Sequence, residues 1–153
     1  MLPERASRPA LALCLLLLFP ALGFGPCGPI PGGALAGSTT ERRVDDWTFV
    51  NDLSTCAVEV RPDDPRSVTV NCMAYEGRLF VSCSRCEGKT WSAIALRETR
   101  GRVRVGDEVH AVALERVLDP ALLDAVWAAR LAKLGDDPAP RPEGWWTFEL
   151  ASR

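Results

Sequence analysis

Apolar and polar residues alternate with a period of two over much of the chain, which is the pattern of half-buried β-strands. The alternation is clear in CAVEV (56–60), SVTVNCMAY (67–75) and RLFVSC (78–83), and the turn-forming stretches RPDDPR and EG separate them. A further hairpin is predicted over residues 101–117, with its turn at Gly106-Asp107. Together these elements predict an antiparallel β-meander.

One α-helix is predicted after the meander. Asp119 can cap its N-terminus, Pro120 suits its first position, and Gly135 marks its end. Apolar residues recur between these points at helical spacing: Leu123, Val126, Trp127, Leu131 and Leu134. The stretch WWTFEL (145–150) then predicts a closing aromatic strand. The predicted fold is therefore mainly β, with one C-terminal helix.

The hydrophobic pattern also predicts which strand residues face each other. If the first hairpin pairs Val60 with Val68, which keeps apolar residues on one face, Cys56 falls opposite Cys72. A two-residue turn at EG then places Cys83 one diagonal step from Cys72 on the same face. Three cysteines would cluster in the sheet.

The first residues have the pattern of a secretory signal. Arg5 and Arg8 precede the apolar run ALALCLLLL (10–18), which is too short to span a bilayer comfortably. We therefore expect a signal peptide over residues 1–26, and a protein exported to the bacterial cell envelope, facing the periplasm or the outside.

Two sites suit the end of this signal. Cleavage before Cys27 would leave a cysteine that carries lipid, whereas the ALA at 34–36 would allow simple secretion. We favour the lipid anchor, with an uncleaved anchor as a further alternative. The Pro/Gly-rich residues 27–43 would then be a flexible tether for one domain over residues 44–153.

Composition and charge exclude little beyond nucleic acid. The 153 residues are 47% hydrophobic and 25% charged, which is ordinary for a single globular domain. A net charge of −2 at pH 7 gives no reason to expect nucleic acid as a partner. The single histidine, His110, is expected to be a hydrogen-bonded core residue, and no catalytic residue is predicted.

Four cysteines follow the predicted signal and lipid sites: Cys56, Cys72, Cys83 and Cys86. An even number in an exported chain favours disulfides, and the predicted register favours Cys56 with Cys72 and Cys83 with Cys86. A bond between Cys72 and Cys83 is an alternative connectivity. A tetrathiolate zinc site and a redox-active CSRC pair are further alternatives, although only CSRC has the spacing that either would use.

The loop after the CSRC pair is the best candidate for binding an anion. Arg85 and Lys89 are its cations, and Trp91 could form the floor of a pocket for a planar ligand. Two solvated loop charges and a core tryptophan are the simpler interpretation of the same residues.

The order of these parts resembles a known family. A meander, the stretch GRLFVSCSRCEGKTWSAIALRETRGRVRVGDEVHAVALERV, a helix that opens with DP, and a final aromatic strand resemble the pyridoxamine-phosphate-oxidase-like, FMN-binding split β-barrel superfamily and its deazaflavin-dependent nitroreductase relatives. The resemblance implies a split β-barrel of antiparallel strands, pairing as a homodimer, and six cofactor-binding residues: Ser82, Ser84, Arg85, Lys89, Thr90 and Trp91.

The chain also departs from that family. A cysteine pair replaces its Gly-rich loop, and FMN-binding arginine pairs are not evident, so we expect no cofactor, with FMN or deazaflavin as the alternative. The head CGPIPGGALAG followed by DDWTF resembles small bacterial lipoproteins. We therefore expect a lipid-anchored envelope protein that binds a small molecule or an envelope protein. A flavin- or deazaflavin-dependent oxidoreductase is the alternative.

Overall fold

The computed structural model describes residues 32–153, in which it shows eight β-strands and two α-helices. The strands are β1 (Thr39–Thr40), β2 (Cys56–Val60), β3 (Arg66–Val70), β4 (Cys72–Tyr75), β5 (Arg78–Cys83), β6 (Arg100–Val105), β7 (Glu108–Arg116) and β8 (Trp146–Ser152). The helices are α1 (Thr90–Ala95) and α2 (Pro120–Leu134). Neither is long and apolar enough to cross a membrane. The predicted signal peptide and the predicted lipid site at Cys27 lie outside the described residues.

Seven strands form one antiparallel sheet in the order β3-β2-β6-β7-β8-β5-β4, and β1 adds to β7 in parallel. The edge strands β3 and β4 are separated along the chain by Asn71 alone. One bent strand, residues 66–75, therefore joins the two edges, and the sheet has to curl into a split barrel. The predicted fold, mainly β with a C-terminal helix and a closing strand, is confirmed. The short helix α1 was not predicted.

Turn and cap residues account for most element boundaries. Gly77 and Gly106 adopt φ of +72° and +60° at the two tight hairpins, a region that glycine enters without steric cost. The Asp119 carboxylate accepts N–H bonds from the first turn of α2, and Gly135 ends that helix at φ +70°. Across the second hairpin Cys72 pairs with Val81, which places Cys83 one diagonal step from Cys72, as predicted.

The first hairpin has a different register from the predicted one. Val60 pairs with Arg66 and Cys56 pairs with Val70, so the pairing of Cys56 with Cys72 was wrong by two residues. The turn is shorter than expected because Arg61 adopts a left-handed conformation, φ 52°, and its side chain bonds to Asp64. A shift of two residues keeps every side chain on the same face, so hydrophobic pattern alone could not distinguish the two registers.

The second hairpin is buried on both faces. One face of β4 and β5 packs into the barrel interior together with Phe148 and Leu150. On the other face, Met73 and Phe80 pair across the strands and pack against Val126 of α2. Helix α2 therefore covers the outside of this hairpin, which explains why β5 departs from alternation at its three consecutive buried apolar residues, 79–81.

The segment before the barrel lies against it from residue 32 onward. Gly32 bridges to Ser67 of β3, and Leu35 packs with Ala57 and Val109. The Leu35 N–H donates to the fully buried carboxylate of Glu59 at 2.6 Å. This part of the predicted tether is therefore in contact with the domain rather than extended from it.

Candidate functional site

A pocket of about 760 Å³ lies beside the bent strand, in the size range typical of small-molecule sites. Residues 66–71 form one wall, residues 82–84 at the end of β5 form another, and residues 89–91 at the start of α1 form a third. Arg130 of α2 and Trp145 complete it. We call it the seam pocket, because it follows the strand that joins the two edges of the sheet.

The structure brings most of the predicted cofactor-binding residues to this pocket. Five of them line it: Ser82, Ser84, Lys89, Thr90 and Trp91. Arg85 does not, because it sits at the exposed tip of the loop in a left-handed conformation, φ 49°. The loop therefore separates its two cations, with Lys89 on the pocket wall and Arg85 outside it.

The CSRC stretch shapes the pocket as a closed loop. Cys83 and Cys86 form a disulfide, with their Cα atoms 5.5 Å apart, and Cys83 lines the seam pocket. The buried hydroxyl of Ser92 in α1 donates to the carbonyls of Cys86 and Lys89. The loop and the helix are thus tied together, which fixes the start of α1, and with it Lys89, on the pocket wall.

The remaining cysteines differ from the predicted framework. Cys56 and Cys72 are both buried and both free, so the bond predicted between them is not formed in this structure. Nor do they assemble a metal centre, since no three His, Cys, Asp or Glu side chains of residues 32–153 lie close enough to hold a metal ion.

Two tryptophans give the pocket an aromatic wall. Trp91 is largely buried and packs on Phe148, with ring centroids 5.4 Å apart. Trp145 makes an edge contact with Trp127, and the Arg130 guanidinium lies 4.9 Å and 5.1 Å from their two ring centroids. These cation–π contacts hold the Arg130 side chain in place without neutralising its charge.

All the charged residues that line the pocket are basic. Arg66, Lys89 and Arg130 line it, and none of the three has a carboxylate partner among the residues that the structure describes. The lining also contains no Asp or Glu. With the hydroxyls of Ser84 and Thr90 beside them, these cations form a site suited to an anion.

Three of the five charged or aromatic residues that line the pocket were not predicted from the sequence: Arg66, Arg130 and Trp145. Arg66 opens β3 and Arg130 lies in α2, far from the CSRC loop along the chain, and only the curling of the sheet brings them to it. With the correct register for the first hairpin, the sequence analysis would have placed Arg66 on the edge strand β3. No local pattern marks Arg130.

His110 lies away from this pocket. It is buried as predicted, but the expected hydrogen bond is absent, since neither ring nitrogen has a hydrogen-bond partner within residues 32–153. Its ring meets the edge of Trp47 at 5.3 Å, and Nε2 lies 3.4 Å from a Glu108 oxygen. The histidine is therefore not available to a ligand in the seam pocket.

The comparisons with known proteins bear on the fold. No protein-family model matches the sequence, and no curated protein matches it significantly. Solved structures do match. A conserved hypothetical protein from Mycobacterium tuberculosis has a TM-score of 0.58 at 14% identity, with 76% of this chain and 86% of that chain covered. A candidate pyridoxamine 5'-phosphate oxidase from Listeria innocua has a TM-score of 0.56 at 8% identity, with 68% and 87% covered. An FAD-binding protein from Mesorhizobium loti has a TM-score of 0.51 at 13% identity, with 68% and 84% covered.

This chain has the fold of the pyridoxamine-phosphate-oxidase-like split barrels. Identities this low show the fold alone, so whether a flavin suits this split barrel depends on its own residues. The seam pocket provides unpaired cations and hydroxyls for a phosphate, and the indoles of Trp91 and Trp145 for a planar ring. These residues fit a flavin nucleotide, although they would fit other flat anions equally well.

Proposed function

We propose that the protein binds a small, planar, negatively charged molecule in the seam pocket. The observation that carries this proposal is the charge of the lining: Arg66, Lys89 and Arg130 converge on it with no carboxylate among the lining residues. Clustered cations without internal partners repel one another, so an anionic ligand would stabilise this arrangement. The aromatic wall adds a preference for a flat ring system.

The proposal is for binding rather than catalysis by the chain itself. The residues that line the seam pocket include no histidine and no carboxylate, which are the usual general acids and bases. Lys89 is exposed, and Cys83 is held in a disulfide. The lining therefore has groups that can hold and orient a ligand, and few that can move a proton.

The setting of this binding protein is part of the proposal. The signal-like residues 1–26 and the cysteine at position 27 are the grounds for an exported, lipid-anchored protein of the bacterial cell envelope. Its ligand would then be a small molecule met outside the cytoplasm. An envelope protein partner and a homodimer are further proposals for the same setting.

A flavin- or deazaflavin-dependent oxidoreductase is the second candidate. The observation that favours it is the combination of phosphate-binding groups and indoles in one pocket on a split barrel. A bound flavin would supply hydride and electron transfer. This chain would contribute Lys89 and Arg66 to hold the phosphate, and Trp91 to exclude water from one side of the ring.

Binding of flavin mononucleotide and of riboflavin, which lacks the phosphate, tests the proposal. Titration followed by flavin fluorescence should show tighter binding of the mononucleotide, because only it carries the charge that the cations recognise. Lys89→Ala should weaken that binding by about tenfold or more, as expected for loss of a charged hydrogen bond.

Arg85→Ala is the matched control, because it removes a cation from the same loop but from outside the pocket. It should leave the affinity almost unchanged. Equal binding of the two flavins, or equal losses in the two variants, would contradict the proposal. Reduction of the bound flavin by a reduced nicotinamide, faster than that of free flavin, would favour the oxidoreductase over the binding protein.

A further inference from the structure

Two buried thiols lie outside the seam pocket and are not used by the proposed function. Cys56 opens β2 and pairs with Val70, and Cys72 follows Val70 by two residues on the bent strand. Both cysteines pack in the same core cluster as Val70, with exposures of 4% and 1%. The bend at Asn71 thus brings two free cysteines together between β2 and β4.

The two thiols lie in the same core cluster, and each affects the pKa of the other. A hydrogen bond from Cys56 to the Cys72 sulfur raises the pKa of Cys56 well above its usual range, and burial raises it further. The same bond lowers the pKa of Cys72, against the effect of burial. The two groups therefore differ in character, with Cys72 the more acidic thiol of the pair and Cys56 the less acidic one.

Lys133 of α2 reinforces this difference. Its ammonium group donates to the carbonyls of Val50, at 3.0 Å, and of Cys72. The positive charge also lowers the pKa of Cys72. A cysteine of lowered pKa, a cation beside it and a second thiol in the same core cluster are the parts of an oxidisable pair.

We propose that Cys56 and Cys72 form an oxidisable thiol pair, which hydrogen peroxide converts into a disulfide between β2 and β4. A small oxidant is required because the pair is buried. A second cavity of about 230 Å³, lined by Thr55, Cys56 and Thr69 among others, reaches the Cys56 side of the pair. It has ample volume for a molecule the size of a peroxide.

The step balances with peroxide as the only oxidant. The Cys72 thiolate attacks one peroxide oxygen, the O–O bond breaks, and the hydroxide that leaves takes up a proton to become water. The Cys56 sulfur then attacks the Cys72 sulfenic acid. The S–S bond forms, the S–O bond breaks, and the hydroxyl leaves as water with the Cys56 proton. Two electrons pass from the thiols to the peroxide.

Oxidation would act on the wall of the seam pocket. Thr69 lines both that pocket and the cavity beside Cys56, and Asn71 is the bend itself. A covalent bond from β2 to Cys72 would restrict the bend and close a loop in the unfolded chain, which stabilises the folded state. The pair would therefore link the redox state of the surroundings to the shape of the binding wall.

Peptide mapping of the folded full chain tests the proposal, because trypsin separates the four cysteines of residues 32–153 from one another. Cleavage after Lys and Arg, except before Pro, yields four peptides: 44–66 with Cys56, 67–78 with Cys72, 79–85 with Cys83 and 86–89 with Cys86. After peroxide treatment, blocking of thiols and digestion without reductant, we expect peptide 44–66 linked to peptide 67–78, about 2 Da lighter than the two peptides together.

The Cys83–Cys86 bond is an internal control, since its two peptides should be linked before and after peroxide. Oxidation should also raise the melting temperature by about 10 °C in the wild type. Cys56→Ser should abolish both changes while leaving the control bond intact. The proposal would be overturned if Cys56 and Cys72 stayed fully alkylatable after peroxide, if either were linked to Cys83 or Cys86 instead, or if the link formed only in denaturant.

Discussion

Two arginine sites on opposite sides of β2 treat positive charge in different ways. On β6, Arg102 donates two hydrogen bonds, at 2.7 and 2.8 Å, to the carboxylate of Glu59, which is fully buried. On the seam-pocket side, Arg66 opens β3 with no carboxylate partner within residues 32–153. Both residues belong to the same sheet, but within the part of the chain that the structure describes only Arg102 has a carboxylate partner.

The difference separates a structural charge from one available to a ligand. Glu59 also accepts the Leu35 N–H, and Arg102 donates to the Leu35 carbonyl at 3.3 Å, so every group in that cluster is satisfied internally. Such a cluster holds the segment around Leu35 on the barrel. The seam pocket instead contains three cations without a carboxylate partner among the described residues. An external anion can therefore gain binding free energy by pairing with them.

The largest effect on stability is expected from breaking the buried Glu59–Arg102 ion pair. Glu59→Gln keeps the shape of the side chain but leaves the Arg102 charge half-buried and unpaired, and it should lower the free energy of unfolding by about 3 kcal/mol. Denaturant unfolding measures this change. The control is Glu108→Gln, which removes the exposed ion pair with Arg42 and should cost under about 1 kcal/mol. Equal costs would mean that burial of the pair is immaterial.

A charge reversal in the seam pocket should change stability less, but it should change ligand binding strongly. Arg66→Glu should weaken binding of flavin mononucleotide by about thirtyfold, because a carboxylate would then repel the phosphate. Stability should change by no more than about 0.5 kcal/mol, since no internal partner is lost. Arg85→Glu makes the same reversal outside the pocket. Its effect should be weaker and should disappear in high salt, where exposed charges are screened.

The sequence predicted the elements of the fold better than it predicted their meeting points. Period-two alternation and the cap residues around α2 report local geometry, which each segment sets by itself. The register of the first hairpin depended on the left-handed Arg61 and its contact with Asp64, and no hydrophobic pattern encodes that contact. The conformation of this turn therefore decided the register of the hairpin.

The candidate site divides in the same way. Lys89, Thr90 and Trp91 could be nominated because they are contiguous and follow a strand, as in the family that the chain resembles. Arg66 and Arg130 could not, since their proximity to the loop is created by the curl of the sheet and by the packing of α2. The helix α1 was missed for a related reason: at six residues it is stabilised by Ser92 and the disulfide loop rather than by helical periodicity.

The smallest effect is expected from changing the residue that positions Arg130, one of the unpaired cations of the seam pocket. Trp127 stacks against Arg130 and donates its indole N–H to the Ala139 carbonyl at 2.7 Å, so it positions the guanidinium without lining the seam pocket. Trp127→Leu should therefore weaken flavin mononucleotide binding only about threefold, the value of one cation–π contact.

Two further variants give the smallest and the largest loss of affinity with which Trp127→Leu can be compared. Trp127→Phe keeps a ring under Arg130 and should bind almost as the wild type does, whereas Arg130→Ala removes the charge itself and should lose about tenfold or more. The same fluorescence titration measures all three. If Trp127→Leu lost as much affinity as Arg130→Ala, the stacking would be what makes the cation usable. If it lost none, Arg130 would be held by Trp145 alone, whose ring it approaches at 4.9 Å.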